Sequence, residues 1–267
     1  MNSKKIFVMV AYHKPHSTLK TISHLFNPIH AGKLNSNIDL KILGDDTGKN
    51  ISHKNPNYSE LTAVYWMWKN IDADYYGIMH YRRYFIEPQN KIIEKFKNAY
   101  LNLRRTLNLN VNYNFQINKK LSKINMFHKK IALVEDYDII IPKKWYFGKT
   151  VRKQYEFSHR KEDWKKLTQI MKKQPLYYKY FKQMENNNWI YPYNMGIFSK
   201  EIFNTYMNWL FKNLNKLETN ITISKDPYQQ RVFAFISERL FTTYMLYLMY
   251  EKPKIKIKEM PVMFIDE

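Results

Sequence analysis

The chain has 267 residues, 45% of them hydrophobic and 16% aromatic, with 22 Tyr and 16 Phe against 6 Gly. That is enough apolar side chain for the core of one large α/β domain, and it excludes a globally disordered chain. The lack of cysteine excludes disulfides and thiolate metal sites, while a net charge of +21 and a pI near 9.7 suit either an anionic partner (nucleic acid, an anionic membrane surface or a phosphorylated small molecule) or simply a solvated Lys-rich surface.

Lys5–Ala11 reads as a buried first strand, ended by His13 and Pro15 and too short for a signal-peptide core. A short helix and a loop over Asn27–Gly32 follow. Ile38–Leu43 reads as a second strand, and the turn-rich stretch Asp45–Asn57 as a loop. Asn57 and Glu60 have capping-box spacing ahead of a helix whose apolar stripe is Leu61, Val64, Tyr65 and Trp68. Asp72–Asp74 end that helix, and Tyr75–His80 is a strand. Residues 88–135, rich in Lys and Asn, read as an insertion with a helical pattern at Ile92–Leu103. Tyr137–Pro142 is a strand and Phe147–Tyr180 is mostly helical. Trp189–Ser199 contains a strand, and Ser199 caps a helix carrying Ile202, Phe203, Tyr206, Trp209 and Leu210. Asp226, Pro227 and Gln229 mark the start of a helix through Val232, Phe235, Ile236, Leu240 and Tyr244. Ile255–Met260 is the final strand. No stretch reaches the roughly 18–20 apolar residues that span a bilayer, and no internal repeat is present.

Strands alternating with helices predict a single α/β domain over residues 1–267, with a mostly parallel, Rossmann-like sheet covered by helices on both faces and a helical insertion. Ligands of such sheets bind past the carboxyl ends of the strands. Here those ends carry the loops Ala11–Pro15, Gly44–Asn57 and His80–Phe85.

These loops hold the candidate chemistry. Arg82 and Arg83 beside His80 suit a diphosphate, because guanidinium forks match phosphate oxygens; they also suit structural ion pairs. Asp45 and Asp46 could ligate a cation or contact a ribose, or could simply form a turn. Gly196 in Asn194-Met-Gly196 permits close approach of a ligand, or marks a bulge. Arg231 and Glu238, seven residues apart, share a helix face, so Glu238 is a candidate general base or else a solvated partner of Arg239. There is no Walker loop, dinucleotide fingerprint, His-Glu-x-x-His, EF-hand loop or Gly-x-Ser-x-Gly elbow, and no zinc finger or RNA-recognition signature.

Six segments occur in a familiar order: Val10-Ala-Tyr-His-Lys-Pro15, Pro28-Ile-His-Ala-Gly32, Gly44-Asp-Asp-Thr-Gly-Lys-Asn-Ile-Ser-His-Lys-Asn-Pro-Asn-Tyr-Ser-Glu-Leu-Thr62, His80-Tyr-Arg-Arg-Tyr-Phe85, Asn194-Met-Gly196 and Arg231-Val-Phe-Ala-Phe-Ile-Ser-Glu-Arg-Leu240. The chain thereby resembles, over nearly its whole length, a family of bacterial capsular and exopolysaccharide glycosyltransferases long catalogued as a domain of unknown function. The resemblance implies a GT-A-like fold and transfer of a hexose from a nucleotide sugar to a glycan acceptor, free or lipid-linked, in capsular, exopolysaccharide or O-antigen synthesis. Some family members resemble galactofuranosyltransferases, so UDP-galactofuranose or UDP-galactose is the implied donor. Tyr12, His13, His80, Arg82 and Arg83 then bind the donor diphosphate. Asn194, Gly196, Arg231 and Arg239 face the acceptor. Glu238 is the base of an inverting displacement, with Asp45 and Asp46 as rivals. Cationic side chains stand where many GT-A enzymes place a metal-binding Asp-x-Asp, so no metal is expected to be essential, although Mn2+ or Mg2+ could still contribute. The expected location is the cytoplasm, including the inner face of the cell membrane. A non-catalytic basic protein binding nucleic acid or anionic lipid is the competing reading.

Overall fold

The computed structural model describes residues 4–20, 26–86, 91–107, 109–112, 115–116 and 131–265. Its strands are β1 (Ile6–Tyr12), β2 (Phe26–His30), β3 (Leu43–Gly44), β4 (Tyr75–His80), β5 (Arg83–Phe85), β6 (Val111–Asn112), β7 (Phe115–Gln116), β8 (Ile139–Pro142), β9 (Trp145–Tyr146), β10 (Trp189–Ile190), β11 (Gly196–Ser199), β12 (Ile257–Met260) and β13 (Val262–Phe264). The α-helices are α1 (Asn55–Tyr58), α2 (Leu61–Asn70), α3 (Lys91–Thr106), α4 (Val151–Ser158), α5 (Lys161–Lys172), α6 (Pro175–Asn186), α7 (Lys200–Glu218) and α8 (Val232–Glu251).

The main sheet runs β12-β8-β11-β4-β1-β2-β3. β1 lies in its middle, parallel to both β2 and β4; β3 continues the parallel run, and β12 is parallel to β8. β11 alone on this path opposes both of its neighbours. Side chains alternate between two apolar clusters, as a period of two requires. Met9, Ala11, Tyr76, Ile78, Ile139 and Phe198 enter one; Val8, Val10, Tyr12, Tyr75, Met79, Ile140 and Ile197 enter the other. The first cluster receives the apolar faces of α2 and α4 to α8. The second is closed by β5, β13 and residues such as Val134 and Met195.

α8 is apolar nearly all round, which fits burial on every side. It packs against α1, α6, α7 and β10, and its buried Ser237, Thr242 and Thr243 all find hydrogen-bond partners. No described helix is long and apolar enough to cross a membrane.

Several local expectations need correction. Asn27–Gly32 is not a loop: Phe26–His30 is strand β2. Pro28 fits there because β3 pairs only with Ile29 and His30, leaving that edge open beside Pro28. Of Ile38–Leu43 only Leu43 is in a strand. Asn57 does not cap α2. It lies inside α1, where its amide donates to the Gln230 carbonyl (3.2 Å), and Ser59 at φ 50° separates the two helices. Asp226 does not cap the long helix: it accepts from the Tyr228 and Gln229 amides in the turn ahead of a 3-10 helix (Gln229–Arg231) whose N-cap is Tyr228, and α8 begins at Val232. Within the expected insertion, α3 lies where the helical pattern was read; much of the remainder falls outside the described residues.

Candidate active site

β1 and β4 are adjacent and parallel, so the segments leaving them emerge together: Tyr12 and His13 from one, His80 to Arg83 from the other. Facing them is the side of α8 that carries Ala234, Phe235, Glu238 and Arg239, spaced to share one face. Between these elements lies a cavity of about 710 Å³. Tyr12, His13, His80, Arg82, Arg83, Asn194, Arg231, Glu238 and Arg239 all line it.

Three expected site residues lie elsewhere. Asp45 is fully buried, accepting from the Gly32 amide (2.8 Å), the Lys33 amide (3.1 Å) and the Ser52 hydroxyl (2.5 Å). It fixes the turn after β2, where Gly32 adopts φ 71°, and does not line the cavity. Asp46 does not line it either, and its Oδ1 is buried without a partner among the described residues. Gly196 begins β11, where a Cβ would come 2.3 Å from the Phe198 ring. It makes room for packing within the sheet rather than for an acceptor. Tyr12 needs a narrower correction: its hydroxyl is bonded to Thr18 (2.8 Å) and Tyr84 (3.3 Å), so the phenol is core and offers a donor molecule no hydrogen bond.

The wall beside Arg83 is a strained turn. Tyr193 and Asn194 both have positive φ, 75° and 50°, in the left-handed region that costs non-glycine residues roughly 1–3 kcal/mol each. Four side chains hold it. Glu238 Oε1 accepts from the Tyr193 amide (2.7 Å), and His80 Nε2–H donates to the Tyr193 carbonyl (2.5 Å). Asn194 donates to Glu60 Oε1 (2.8 Å) and accepts from Ser237 (2.9 Å). The second Glu238 oxygen pairs with Arg239 Nη1 (3.0 Å), and Arg239 also donates to the Phe235 carbonyl and to Gln154.

Arg82 and Arg83 differ from Arg239. Among the described residues neither forms an ion pair, and the Nε of each is buried without a partner. Arg83 lies over the Tyr193 and Phe264 rings, at 5.0 and 5.3 Å, and Arg82 over Tyr81 at 5.6 Å. Burial, and then the neighbouring Arg82 charge, lower the pKa of Arg83. Two adjacent, partly desolvated cations with no ion pair among the described residues form a site that a polyanion relieves. Burial, Arg231, Lys14 and Arg82 also lower the pKa of His13, so it reaches the same region as a polar rather than a cationic group.

A family profile described as a domain of unknown function, DUF4422, matches residues 6–249. The chain belongs to the DUF4422 family. No curated protein matches it. Among solved structures this DUF4422 chain is similar to the apo structure of the WbbM bifunctional glycosyltransferase, at 33% identity and a TM-score of 0.82. The match covers 100% of this chain and 46% of WbbM, so the DUF4422 chain spans about half the length of that protein. The likeness bears out the GT-A-like α/β fold.

Sequence reasoning missed two features of the DUF4422 cavity. Glu60 was read as a helix cap, because the spacing of Asn57 and Glu60 imitates one; its carboxylate instead points at Asn194. His159 gave no signal in its charged helical stretch. It stacks on Phe235 (centroids 4.1 Å) and Tyr228 (5.7 Å), an aromatic wall at the α4–α8 end.

Burial lowers both His80 and His159 to about 4, against an ordinary 6.5, so both are neutral in the fold. The unfolded chain protonates them first. Their stabilisation is therefore present above pH 6.5 and is lost as pH falls toward 4. For His80 this amounts to on the order of 3 kcal/mol. Thermal unfolding of the DUF4422 chain measured from pH 7 to pH 4.5 should show this loss, and His80→Gln should flatten part of the slope. An unchanged slope in that variant would contradict a neutral His80.

Proposed function

We propose that the chain is a glycosyltransferase that moves a hexose from a nucleoside-diphosphate sugar to a glycan acceptor in capsular, exopolysaccharide or O-antigen synthesis. The observation that carries this reading is the pair of guanidiniums, Arg82 and Arg83, which form no ion pair among the described residues and follow the carboxyl ends of parallel strands in the cavity. Family membership and the WbbM likeness support it. The diphosphate lies against Arg82 and Arg83, where their charge stabilises the leaving group. Arg231, exposed and tethered to Ser59 (3.1 Å), adds positive charge to the cavity wall. UDP-galactofuranose and UDP-galactose are the first donors to test, with an inverting outcome expected.

Thermal unfolding with UDP, GDP and CDP tests the donor class. The nucleotide that matches stabilises by roughly 2.7 kcal/mol at 100 times its dissociation constant. No shift with any nucleotide would favour a non-catalytic basic protein. Turnover is expected to survive EDTA, because Arg82 and Arg83 supply the charge that a metal would. Complete loss restored by Mn2+ would reverse that assignment.

A lipid-linked acceptor would bring the chain to an anionic membrane, and α3 offers a face for it. Tyr100, Leu103 and Leu107 are 59–61% exposed at helical spacing, with Arg104 and Arg105 beside them. Arg105 lies over Tyr146, next to the cavity residue Trp145. Co-sedimentation with phosphatidylglycerol vesicles should drop at least tenfold in Leu103→Asp/Leu107→Asp. Equal binding by that variant would place the contact elsewhere.

A further inference from the structure

Among the described residues two carboxylates line the cavity, Glu60 and Glu238, and their surroundings divide the work between them. Glu238 has both oxygens committed, one to the Tyr193 amide and one to Arg239. Glu60 has one oxygen committed, to Asn194; among the described residues its Oε2 accepts nothing, and it is not a sealed polar atom. Its side chain is half-buried in the cavity wall. Glu60 also acts electrostatically on His13, His80 and Arg83 from the strand ends and on Glu238 from α8. It is therefore close both to the cationic pole, where the diphosphate is placed, and to the turn at Tyr193–Asn194.

We infer that Glu60 is the catalytic base and that Glu238 is a positioning residue. This rests on the transferase reading above. Glu60 Oε2 takes the proton of the acceptor hydroxyl, and the hydroxyl oxygen forms a bond to the anomeric carbon. The bond from that carbon to the phosphate oxygen breaks, and its electron pair leaves on the nucleoside diphosphate against Arg82 and Arg83. No other reactant is required. Glu238 acts one step removed. It pins the Tyr193 amide, which fixes the left-handed turn, and the turn presents the Asn194 amide that orients Glu60.

The test compares Glu60→Gln with Glu238→Gln. Gln at position 60 still accepts from Asn194, so the geometry is kept and only the base is lost. In Glu60→Gln, kcat should fall about 10²–10⁴-fold with UDP affinity by calorimetry undiminished, and the acidic limb of the kcat–pH profile should disappear. In Glu238→Gln the fall should be smaller, within about tenfold, with the acidic limb retained and the unfolding temperature lowered. Glu60→Gln turning over within tenfold of the unsubstituted chain, or Glu238→Gln losing the acidic limb, would overturn the assignment. If the unsubstituted chain releases nucleotide from no sugar donor, the transferase reading itself falls and this assignment with it.

Discussion

The double variant Arg82→Ala/Arg83→Ala is expected to bind a nucleoside diphosphate about 10²–10⁴-fold more weakly than the unsubstituted chain while remaining folded. Each charge-assisted contact contributes about 1.5–3 kcal/mol, and each 1.4 kcal/mol is roughly tenfold in affinity. The fold should tolerate the loss because neither guanidinium has an ion pair among the described residues. What disappears is ring contact of Arg83 with Tyr193 and Phe264, on the order of 1 kcal/mol, offset by removal of the repulsion between the two cations. Arg82→Lys/Arg83→Lys should recover only part of the affinity, since an ammonium retains the charge but not the paired donors. Calorimetry with UDP, alongside an unfolding curve, separates the two effects. Unchanged affinity in the alanine variant would move the diphosphate to another part of the cavity.

Strands that follow one rule could be read from the sequence. Tyr75–His80 is a continuous apolar run ending at polar residues, and β4 has those bounds. His80, Arg82 and Arg83 were found the same way, because position after a parallel strand is itself a functional argument. Local patterns misled where distant partners competed for the same side chain. Asn57 and Glu60 have the spacing of a capping box, yet Gln230 and Asn194, over 130 positions away, take both side chains. Asp45 had ligand chemistry in a loop, but three donors converge on it, the Gly32 and Lys33 amides and the Ser52 hydroxyl. The positive φ at Tyr193 has no sequence mark, and Asn194 offers only the general tolerance of Asn for the left-handed region. Neither is glycine, and the conformation persists only because α2, α8 and His80 each hold one part of it.

That dependence makes Glu238→Ala the variant with the largest expected effect on stability. It removes the acceptor for the Tyr193 amide and leaves Arg239, only 4% exposed, without its carboxylate partner. Breaking a buried pair on one side costs about 3–5 kcal/mol, which in a domain of this size lowers the unfolding temperature by about 10 °C. Glu238→Gln should cost less, because its amide oxygen still accepts from Tyr193. Its cost should also depend on pH. Burial pushes the Glu238 carboxyl above its ordinary 4.5, with Arg239 and the Tyr193 amide pulling the other way. The fold thus binds the Glu238 proton more tightly than the unfolded chain does, and stability from this group falls as pH rises through the raised value. Gln does not titrate, so the penalty of Glu238→Gln should be larger near pH 4.5 than at pH 8. Unfolding curves of both variants at the two pH values check the sign. A Glu238→Ala chain as stable as the unsubstituted one would mean that His80 and Asn194 alone can hold the turn. Orientation of Glu60 would then no longer require Glu238.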